Sequence, residues 1–196
     1  MNTLLDRNQL ERLRVLLLDD SKTMRGLLRG LLNSMGVKDV FEAGHAADAL
    51  EVIKNERPDV AIVDYRLPDL DGLELTTILR RGADSPNRFI PIILCSAHLS
   101  VQVLRQAMNC GVDEFLVKPV SAADVRSKFE AVILKRREFV ETPTYFGPCR
   151  RRGMVQSYNG PWRRATDAER TDSANDDADE ADQWLAFKTP ELKTYK

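Results

Sequence analysis

The stretch DVAIVD at positions 59–64 is apolar from end to end, apart from the two acids that bound it. Two other short runs have the same character. RVLLLD at 14–19 also ends in an acid, and FIPIILC at 89–95 stops just before a serine. Strands that are apolar on both faces belong in a parallel sheet that is covered on both sides. These three runs therefore predict the central strands of such a sheet.

Segments with helical periodicity separate these strands. Within residues 23–35, Met24, Leu27, Leu28 and Leu31 recur at helical spacing, and Gly36 can end that helix. The same patterns along the chain predict strands at 14–19, 38–42, 59–64, 89–95 and 112–117, and helices at 23–35, 46–54, 73–81, 99–108 and 122–137. Repeated βα units of this kind predict a doubly wound α/β fold, here with a five-stranded parallel sheet and five helices.

Composition restricts the classes of function. The chain has 196 residues and a formal net charge of -1, so the molecule as a whole is not a general polyanion binder. No apolar run approaches the roughly 20 residues that a membrane span needs, and the first residues contain no apolar signal core. We therefore expect a cytoplasmic protein without a membrane span. The three cysteines are widely spaced and lack metal-ligand spacing, which predicts reduced thiols.

The residues that follow the predicted strands form one chemical set. The first strand ends in Asp19 and Asp20, the third in Asp64, the fourth at Ser96, and the fifth at Lys118. In a doubly wound sheet these positions meet at one edge, where such folds place their sites. Clustered carboxylates repel one another and favour a divalent cation, and oxygen ligands favour Mg²⁺. The lysine and the hydroxyl could hold phosphoryl oxygens. Taken singly, each acid could instead cap a helix.

Together with the run VDYRLPDLDG at 63–72, this set resembles the response-regulator receiver family over residues 12–138. The resemblance implies a flavodoxin-like receiver fold and a signalling protein whose only catalysis is its own phosphorylation and dephosphorylation. It implies that Asp64 accepts a phosphoryl group from a histidine kinase or a small phosphodonor. Asp19, Asp20, Asp64 and the backbone carbonyl of Arg66 would hold Mg²⁺. The implied switch residues are Ser96, Phe115 and Lys118, although Phe115 could also be an ordinary core residue.

A different composition follows the receiver-like part. Residues 139–167 are rich in arginine, residues 168–182 are acidic and predict a disordered linker, and residues 183–196 form a short, more apolar end that could dock on another surface. We expect an extended, largely disordered tail. No helix-turn-helix or catalytic constellation can be recognised between residues 141 and 196. The protein is thus expected to act by changing what it binds, with no DNA partner.

The arginine-rich segment contains one motif twice. YFGPCRR at 145–151 and YNGPWRR at 158–164 share the pattern Tyr-x-Gly-Pro-x-Arg-Arg, in which the Gly-Pro pair predicts a turn. Arginine reads guanine and clamps phosphate through paired hydrogen bonds, and aromatic rings stack on bases. A doubled motif suits a ligand that presents its recognition groups twice. Cyclic di-GMP, with two guanines and two phosphates, is such a ligand.

A receiver with this tail resembles the CheY-like cyclic di-GMP effectors, the Cle proteins, which act at the flagellar motor. RATD at 164–167 also resembles the Arg-x-x-Asp inhibitory-site motif of diguanylate cyclases. The resemblance implies cyclic di-GMP as ligand and a flagellar motor switch or other motility protein as partner. The implied contact residues are Tyr145, Arg150, Arg151, Arg152, Tyr158, Trp162, Arg163, Arg164 and Asp167. Arg152 breaks the repeat, since Ala165 occupies the corresponding position.

Three alternatives remain open at the level of sequence. The arginines could form a solvated basic linker. They could bind RNA, DNA or anionic lipid without specificity, although the neighbouring acidic block would weaken a purely electrostatic site. The protein could also be a phosphate shuttle in a phosphorelay, with the tail serving localisation.

Overall fold

The computed structural model describes residues 4–98, 100–150 and 193–195. Five strands form one parallel sheet: β1 (Arg14–Leu18), β2 (Asp39–Ala43), β3 (Val60–Asp64), β4 (Ile92–Ser96) and β5 (Glu114–Val117). The helices are α1 (Arg7–Arg12), α2 (Lys22–Met35), α3 (Ala46–Glu56), α4 (Gly72–Arg81), α5 (Val101–Cys110) and α6 (Ala122–Phe129). One π-helical turn (Glu130–Leu134) extends α6.

The predicted parallel sheet is confirmed, in the order β2-β1-β3-β4-β5. This order is that of a doubly wound fold whose switch point lies between β1 and β3. The central strand β3 is buried along its whole length, as its apolar sequence requires. One apolar layer packs on each face of the sheet. Asp19 and Asp20, after β1, and Asp64, at the end of β3, therefore lie at the same carboxyl edge of the sheet.

Helix α1 was not predicted. Asp6 caps it, accepting a hydrogen bond from the Gln9 backbone while the Gln9 side chain accepts one from the Asp6 backbone. An acid followed three residues later by glutamine is a known sequence signal for a helix start. Leu10 is buried in the same core layer as Phe129. The helix therefore covers part of the receiver core.

Two predicted boundaries are wrong, the first of them for a packing reason. Strand β4 begins at Ile92, whereas the sequence placed its start at Phe89. The Phe89 ring instead packs against the rings of Phe139 and Phe146. The closing helix, expected to reach residue 137, ends as a π-helical turn at Leu134.

The chain then forms an antiparallel hairpin, which we call the tail hairpin: β6 (Phe139–Thr142), β7 (Tyr145–Pro148) and the turn between them. The expected turn at Gly147 and Pro148 is wrong, because both lie in β7 and Gly147 pairs with Val140. A third strand, β8 (Lys193–Tyr195), pairs with the other edge of β6. The structure thus adds an ordered start to the expected tail. Residues 151–192, with the second motif copy and the acidic linker, lie outside the described residues.

The tail hairpin docks on the receiver body through aromatic and glycine contacts. Three rings, those of Phe89, Phe139 and Phe146, lie with their centroids 5.2 to 5.6 Å apart. Gly111, in the left-handed region at φ +95, ends α5 directly beneath β7, and a Cβ built on Gly147 would lie 2.9 Å from its Cα. Only the absence of a side chain at both positions permits this approach.

The docking site lies at the end of the sheet opposite the acids. Gly111 and Asp113 precede β5, and the Asp113 amide donates to the carbonyl of Ile92, the first residue of β4. Asp64 closes β3 at its carboxyl end. Because the strands are parallel and rise about 3.3 Å per residue, the length of the sheet separates the tail hairpin from Asp64.

Among the described residues, no helix has the length and apolar character of a membrane span.

Replacing Gly147 with alanine should loosen the tail hairpin. The new methyl group would lie 2.7 Å from Tyr145 Oη and 2.9 Å from the Gly111 backbone, and such overpacking typically costs about 1–3 kcal/mol. Gly30→Ala in α2 is the matched control, since nothing lies within 4 Å of its added Cβ; it should stabilise the protein by about 0.5–1 kcal/mol. Urea unfolding of both variants measures the difference. Equal stability of the two variants would refute the close packing of Gly147.

Candidate functional site

Three carboxylates converge at the carboxyl edge of the sheet. Asp19 and Asp20 follow β1, and Asp64 is the last residue of β3. One carboxylate oxygen from each lies within 4.8 Å of the others. Asp19 and Asp64 are buried, whereas Asp20 is exposed. The predicted convergence of these acids is confirmed, and their all-oxygen donor set fits a hard divalent cation.

Lys118 joins the two buried acids. Its Nζ lies 2.8 Å from Asp19 Oδ2 and 2.8 Å from Asp64 Oδ1. Three carboxylates and one ammonium leave a formal charge of -2 in the cluster (-3 plus 1). A divalent cation would neutralise this charge. The site therefore has the charge and the ligands for one such ion.

Burial and the pairing between Lys118 and the buried acids shift the pKa values of Asp64 and Lys118 in opposite senses. Burial raises the pKa of Asp64, and the repulsion from Asp19 and Asp20 adds to the effect, while Lys118 opposes it. Burial alone would lower the pKa of Lys118, but its hydrogen bonds to Asp19 and Asp64 outweigh burial, so that this pKa is raised. The lysine thus stays charged beside the acids.

The loop after β1 is braced by residues that the sequence reading missed. The Ser21 amide donates to Asp19 Oδ1 at 2.9 Å, and the Ser21 side chain caps α2. Arg25 Nη1 donates to the carbonyls of Asp19 at 2.6 Å and Asp20 at 3.3 Å. Arg25 also pairs with Glu42 on β2 at 3.2 Å. These contacts fix the direction in which the two acids point, and periodicity contains no signal for them.

The loop after β3 is fixed by caps on two helices. Asp69 Oδ2 accepts from the Ala46 amide at 2.9 Å and so caps α3, whose own N-terminal neighbour His45 makes no side-chain cap. Asp71 caps α4 through the amides of Leu73 and Glu74. Arg66, the proposed carbonyl ligand, lies exposed in this loop two residues after Asp64.

Two of the predicted switch residues, Ser96 at the end of β4 and Lys118 after β5, lie at the same edge, whereas Phe115 lies within β5. The register of β4 against β3 places Cys95 opposite Asp64, with Ser96 next in the chain. The Ser96 hydroxyl donates to the His98 carbonyl at 2.8 Å, and the Lys118 amide donates to the Ser96 carbonyl at 2.9 Å. Phe115 is half-buried against the core layer that contains Leu94, so both interpretations of Phe115 remain open.

Two of the predicted nucleotide-binding residues lie in the described part of the tail. Tyr145 is buried, and its hydroxyl donates to the Pro148 carbonyl at 2.7 Å. Arg150 is exposed, with Cζ 4.3 Å from the centroid of the Tyr145 ring. The others, Arg151, Arg152, Tyr158, Trp162, Arg163, Arg164 and Asp167, lie outside the described residues. Here Tyr145 supports the hairpin and holds Arg150 at the surface.

Known proteins match the part of the chain that carries this site. The family model for the response regulator receiver domain matches residues 15–130. The chemotaxis protein CheY1 of Helicobacter pylori is 33% identical over 122 residues, covering 62% of this chain and 97% of that protein. Chemotaxis protein CheY-3 of Vibrio cholerae serotype O1 is 27% identical over 132 residues, covering 67% and 97%.

Solved structures agree with the same fold. The chemotaxis protein CheY4 of Vibrio cholerae superposes with a TM-score of 0.57 at 26% identity, over 62% of this chain and 98% of that one. The receiver domain of the Francisella response regulator 1452 gives a TM-score of 0.56 at 29% identity, over 64% and 98%. Helix α1 and the tail hairpin lie outside the residues that the family model matches.

Proposed function

Because the chain belongs to the response regulator receiver family, we propose that it is a CheY-like signalling protein with two inputs. Asp64 accepts a phosphoryl group, and the arginine-rich tail binds cyclic di-GMP. The output is a changed protein–protein contact, at the flagellar motor or another part of the motility machinery. The observation that carries the first input is the cluster of Asp19, Asp20 and Asp64, in which Lys118 Nζ lies 2.8 Å from both Asp19 and Asp64.

The phosphorylation chemistry follows from the geometry. One oxygen of the Asp64 carboxylate attacks phosphorus in a phosphohistidine or an acyl phosphate, the bond from phosphorus to the donor breaks, and the donor leaves with its electron pair. Asp19, Asp20, Asp64 and the carbonyl of Arg66 would hold Mg²⁺, which supplies charge neutralisation for the phosphoryl oxygens. Lys118 donates to the oxygens that the metal leaves free.

The conformational switch follows from the phosphoryl group that Asp64 gains. Lys118 exchanges its contact with the Asp64 carboxylate for one with the phosphoryl oxygens. The Ser96 hydroxyl, now bonded to the His98 carbonyl, can turn to the same group. The Phe115 ring then moves into the space that the Ser96 hydroxyl leaves. The face formed by α5, β5 and α6 changes shape as a result, and a partner that reads this face distinguishes the two states.

The repeated tail motif supports cyclic di-GMP as the second input. In the first copy, the guanidinium of Arg150 lies over the Tyr145 ring at 4.3 Å from its centroid, and Arg150 is exposed. The planar guanidinium group, with its paired N–H donors, matches guanine edges and phosphates. The second copy at 158–164 offers the same residue types again. The two chemotaxis relatives and the Cle-like motif together favour a motility partner.

The double variant Arg163→Ala with Arg164→Ala should lose cyclic di-GMP binding. Removing both guanidiniums deletes the bidentate hydrogen-bond pairs that they make to a guanine or a phosphate. Each such pair contributes about 1–3 kcal/mol, so the affinity for cyclic di-GMP should fall at least tenfold. Calorimetric titration of the full chain measures it. Phosphorylation of Asp64 by acetyl phosphate should be unchanged and serves as the control for folding. Unchanged affinity would remove these arginines from the site.

A simple polyanion site would behave differently. Binding that rests on charge alone falls steeply with salt and ignores base identity. Specific recognition of guanine should survive moderate salt and should be lost with cyclic di-AMP. The comparison of both ligands at two salt concentrations separates the proposal from nonspecific binding by a basic tail.

A further inference from the structure

We infer that helix α4 links the phosphoacceptor site to the tail hairpin, and that Arg80 is the residue that positions the hairpin. The contacts at the two ends of α4 carry this inference. It deepens the proposed function, because it states how phosphorylation at Asp64 would regulate the tail. Its mechanical part, a change in hairpin docking, can be tested without any nucleotide.

At its first turn, α4 touches the phosphoacceptor itself. A Cβ built on Gly72 would lie 2.5 Å from the Asp64 carbonyl oxygen and 2.9 Å from Leu94 Cδ1. The Gly72 amide donates to the Tyr65 carbonyl at 2.9 Å. The capping box holds this turn in place: Asp71 caps the helix, and its own amide donates to Glu74 Oε2 at 2.9 Å. A movement of the loop that follows Asp64 would therefore displace the first turn of α4.

At its last turn, α4 holds the surface on which the tail hairpin rests. The Arg80 guanidinium is fully buried and donates to three acceptors: the Gly111 carbonyl at 3.0 Å, the Arg88 carbonyl at 2.9 Å and Asp113 Oδ2 at 2.8 Å. Asp113 Oδ2 also accepts from the Ile92 amide at 2.9 Å. One side chain thus ties α4 to the starts of β4 and β5.

The same guanidinium contacts the tail hairpin. Arg80 Cζ lies 5.1 Å from the centroid of the Phe139 ring in β6. Its acceptor Gly111 is also the residue against which Gly147 of β7 packs. Arg137, just before β6, donates to the carbonyls of Cys149 and Asp113. Arg80 therefore positions both strands of the hairpin, one through a ring and one through the backbone of Gly111.

The helix between these ends is short and packed. Ten residues at 1.5 Å per residue span about 15 Å, and Leu75 and Leu79 bury its inner side in the core. Close-packed elements move as units between discrete arrangements and do not deform gradually. A shift at Gly72 would thus reach Arg80. By linkage, a ligand of the tail whose affinity changes by some factor when a phosphoryl analogue binds at Asp64 would change the affinity for that analogue by the same factor.

Hydrogen–deuterium exchange of the full chain tests the inference. Beryllofluoride with Mg²⁺ forms a tetrahedral adduct on an aspartate and mimics the phosphoryl group. In the wild type, we expect it to change exchange in the peptide 138–149 by about fivefold or more, the lower end of ordinary coupling between sites. Asp64→Asn should show no response. Unchanged exchange in wild type that has bound beryllofluoride would overturn the inference.

Arg80→Lys tests the positioning residue. Lysine keeps the charge but cannot donate in three fixed directions. Its hairpin should exchange faster than that of the wild type and should no longer respond to beryllofluoride. Arg105→Lys, exposed on α5, is the matched control and should respond normally. A full response in Arg80→Lys would remove Arg80 from the link.

If Arg80→Lys does not fold, Gly147→Ala tests the same coupling and leaves the Arg80 hydrogen bonds in place. Its hairpin should also lose the response, and a retained response would contradict the role of the Gly111 contact. Absence of cyclic di-GMP binding by the wild type would refute the proposed second input alone. The exchange result would then still decide whether α4 couples Asp64 to the hairpin.

Discussion

Asp64→Asn is expected to abolish labelling of the protein by acetyl phosphate. The amide keeps the size of the side chain and can still contact Lys118, which lies 2.8 Å from Asp64 Oδ1. It lacks the negative charge and the nucleophilic oxygen that form the bond to phosphorus. Intact mass spectrometry of the full chain, after incubation with acetyl phosphate and Mg²⁺, measures the gain of one phosphoryl group.

The matched control for this experiment is Asp48→Asn, an exposed acid in the first turn of α3. It should be labelled as the wild type is. Omission of Mg²⁺ should greatly reduce labelling of the wild type, because the cluster then keeps its excess negative charge and repels the incoming phosphoryl group. Labelling that persists in Asp64→Asn would place the phosphoacceptor elsewhere.

Arg80→Met should destabilise the protein more than any other single change proposed above. Methionine fills much of the same volume but leaves Asp113 buried without its cation. Removing one partner of a buried ion pair costs about 3–5 kcal/mol. Three hydrogen bonds to the guanidinium disappear as well. Urea unfolding monitored by circular dichroism measures the loss, and a loss no larger than that of an exposed substitution would contradict the structural role of Arg80.

The double variant Arg80→Met with Asp113→Asn isolates the unpaired charge. Asparagine can still accept from the Ile92 amide, which donates to Asp113 Oδ2 at 2.9 Å, but it carries no charge. Replacing both members of a buried pair is often nearly neutral. The double variant should therefore recover much of the stability lost in Arg80→Met, and failure to recover would show that the hydrogen bonds matter more than the charge.

The stability of Arg80→Met should also depend on pH. Burial raises the pKa of Asp113, and the charge of Arg80 opposes this rise in the wild type. Without Arg80 the folded pKa rises further above the ordinary aspartate value of about 3.9. A group with a raised folded pKa contributes stability below its unfolded pKa, and that contribution is lost as the pH rises through the folded value. The deficit should therefore be smaller at mildly acidic pH than at neutral pH, as unfolding curves at both pH values would show.

The acid site could be predicted from the sequence because its members are encoded locally. Asp19 and Asp20 follow one apolar strand and Asp64 closes another, and parallel topology alone brings such positions to one edge. The three central strands of the sheet followed from the same apolar runs. Ser96 and Lys118 were found by the same rule.

The contacts that join distant segments could not be predicted in this way. Arg80 falls on a helix whose periodicity looks ordinary, and its acceptors lie in two separate loops, at residue 88 before β4 and at residues 111 and 113 before β5. The Gly147–Pro148 pair carried a turn signal, but pairing with β6 and the contact with Gly111 outweighed it. Helix α1 has a local signal, the capping box at Asp6 and Gln9, but its 6 residues are too few to show the apolar periodicity that predicts a helix.

The proposed second input of this receiver is the binding of a nucleotide to its tail. Calorimetric titration of the full wild-type chain with cyclic di-GMP, with cyclic di-AMP as the matched control, tests it most directly. We predict saturable binding of cyclic di-GMP that persists at moderate salt, and no binding of cyclic di-AMP. Absence of heat with cyclic di-GMP, or equal binding of both dinucleotides that vanishes with salt, would contradict it.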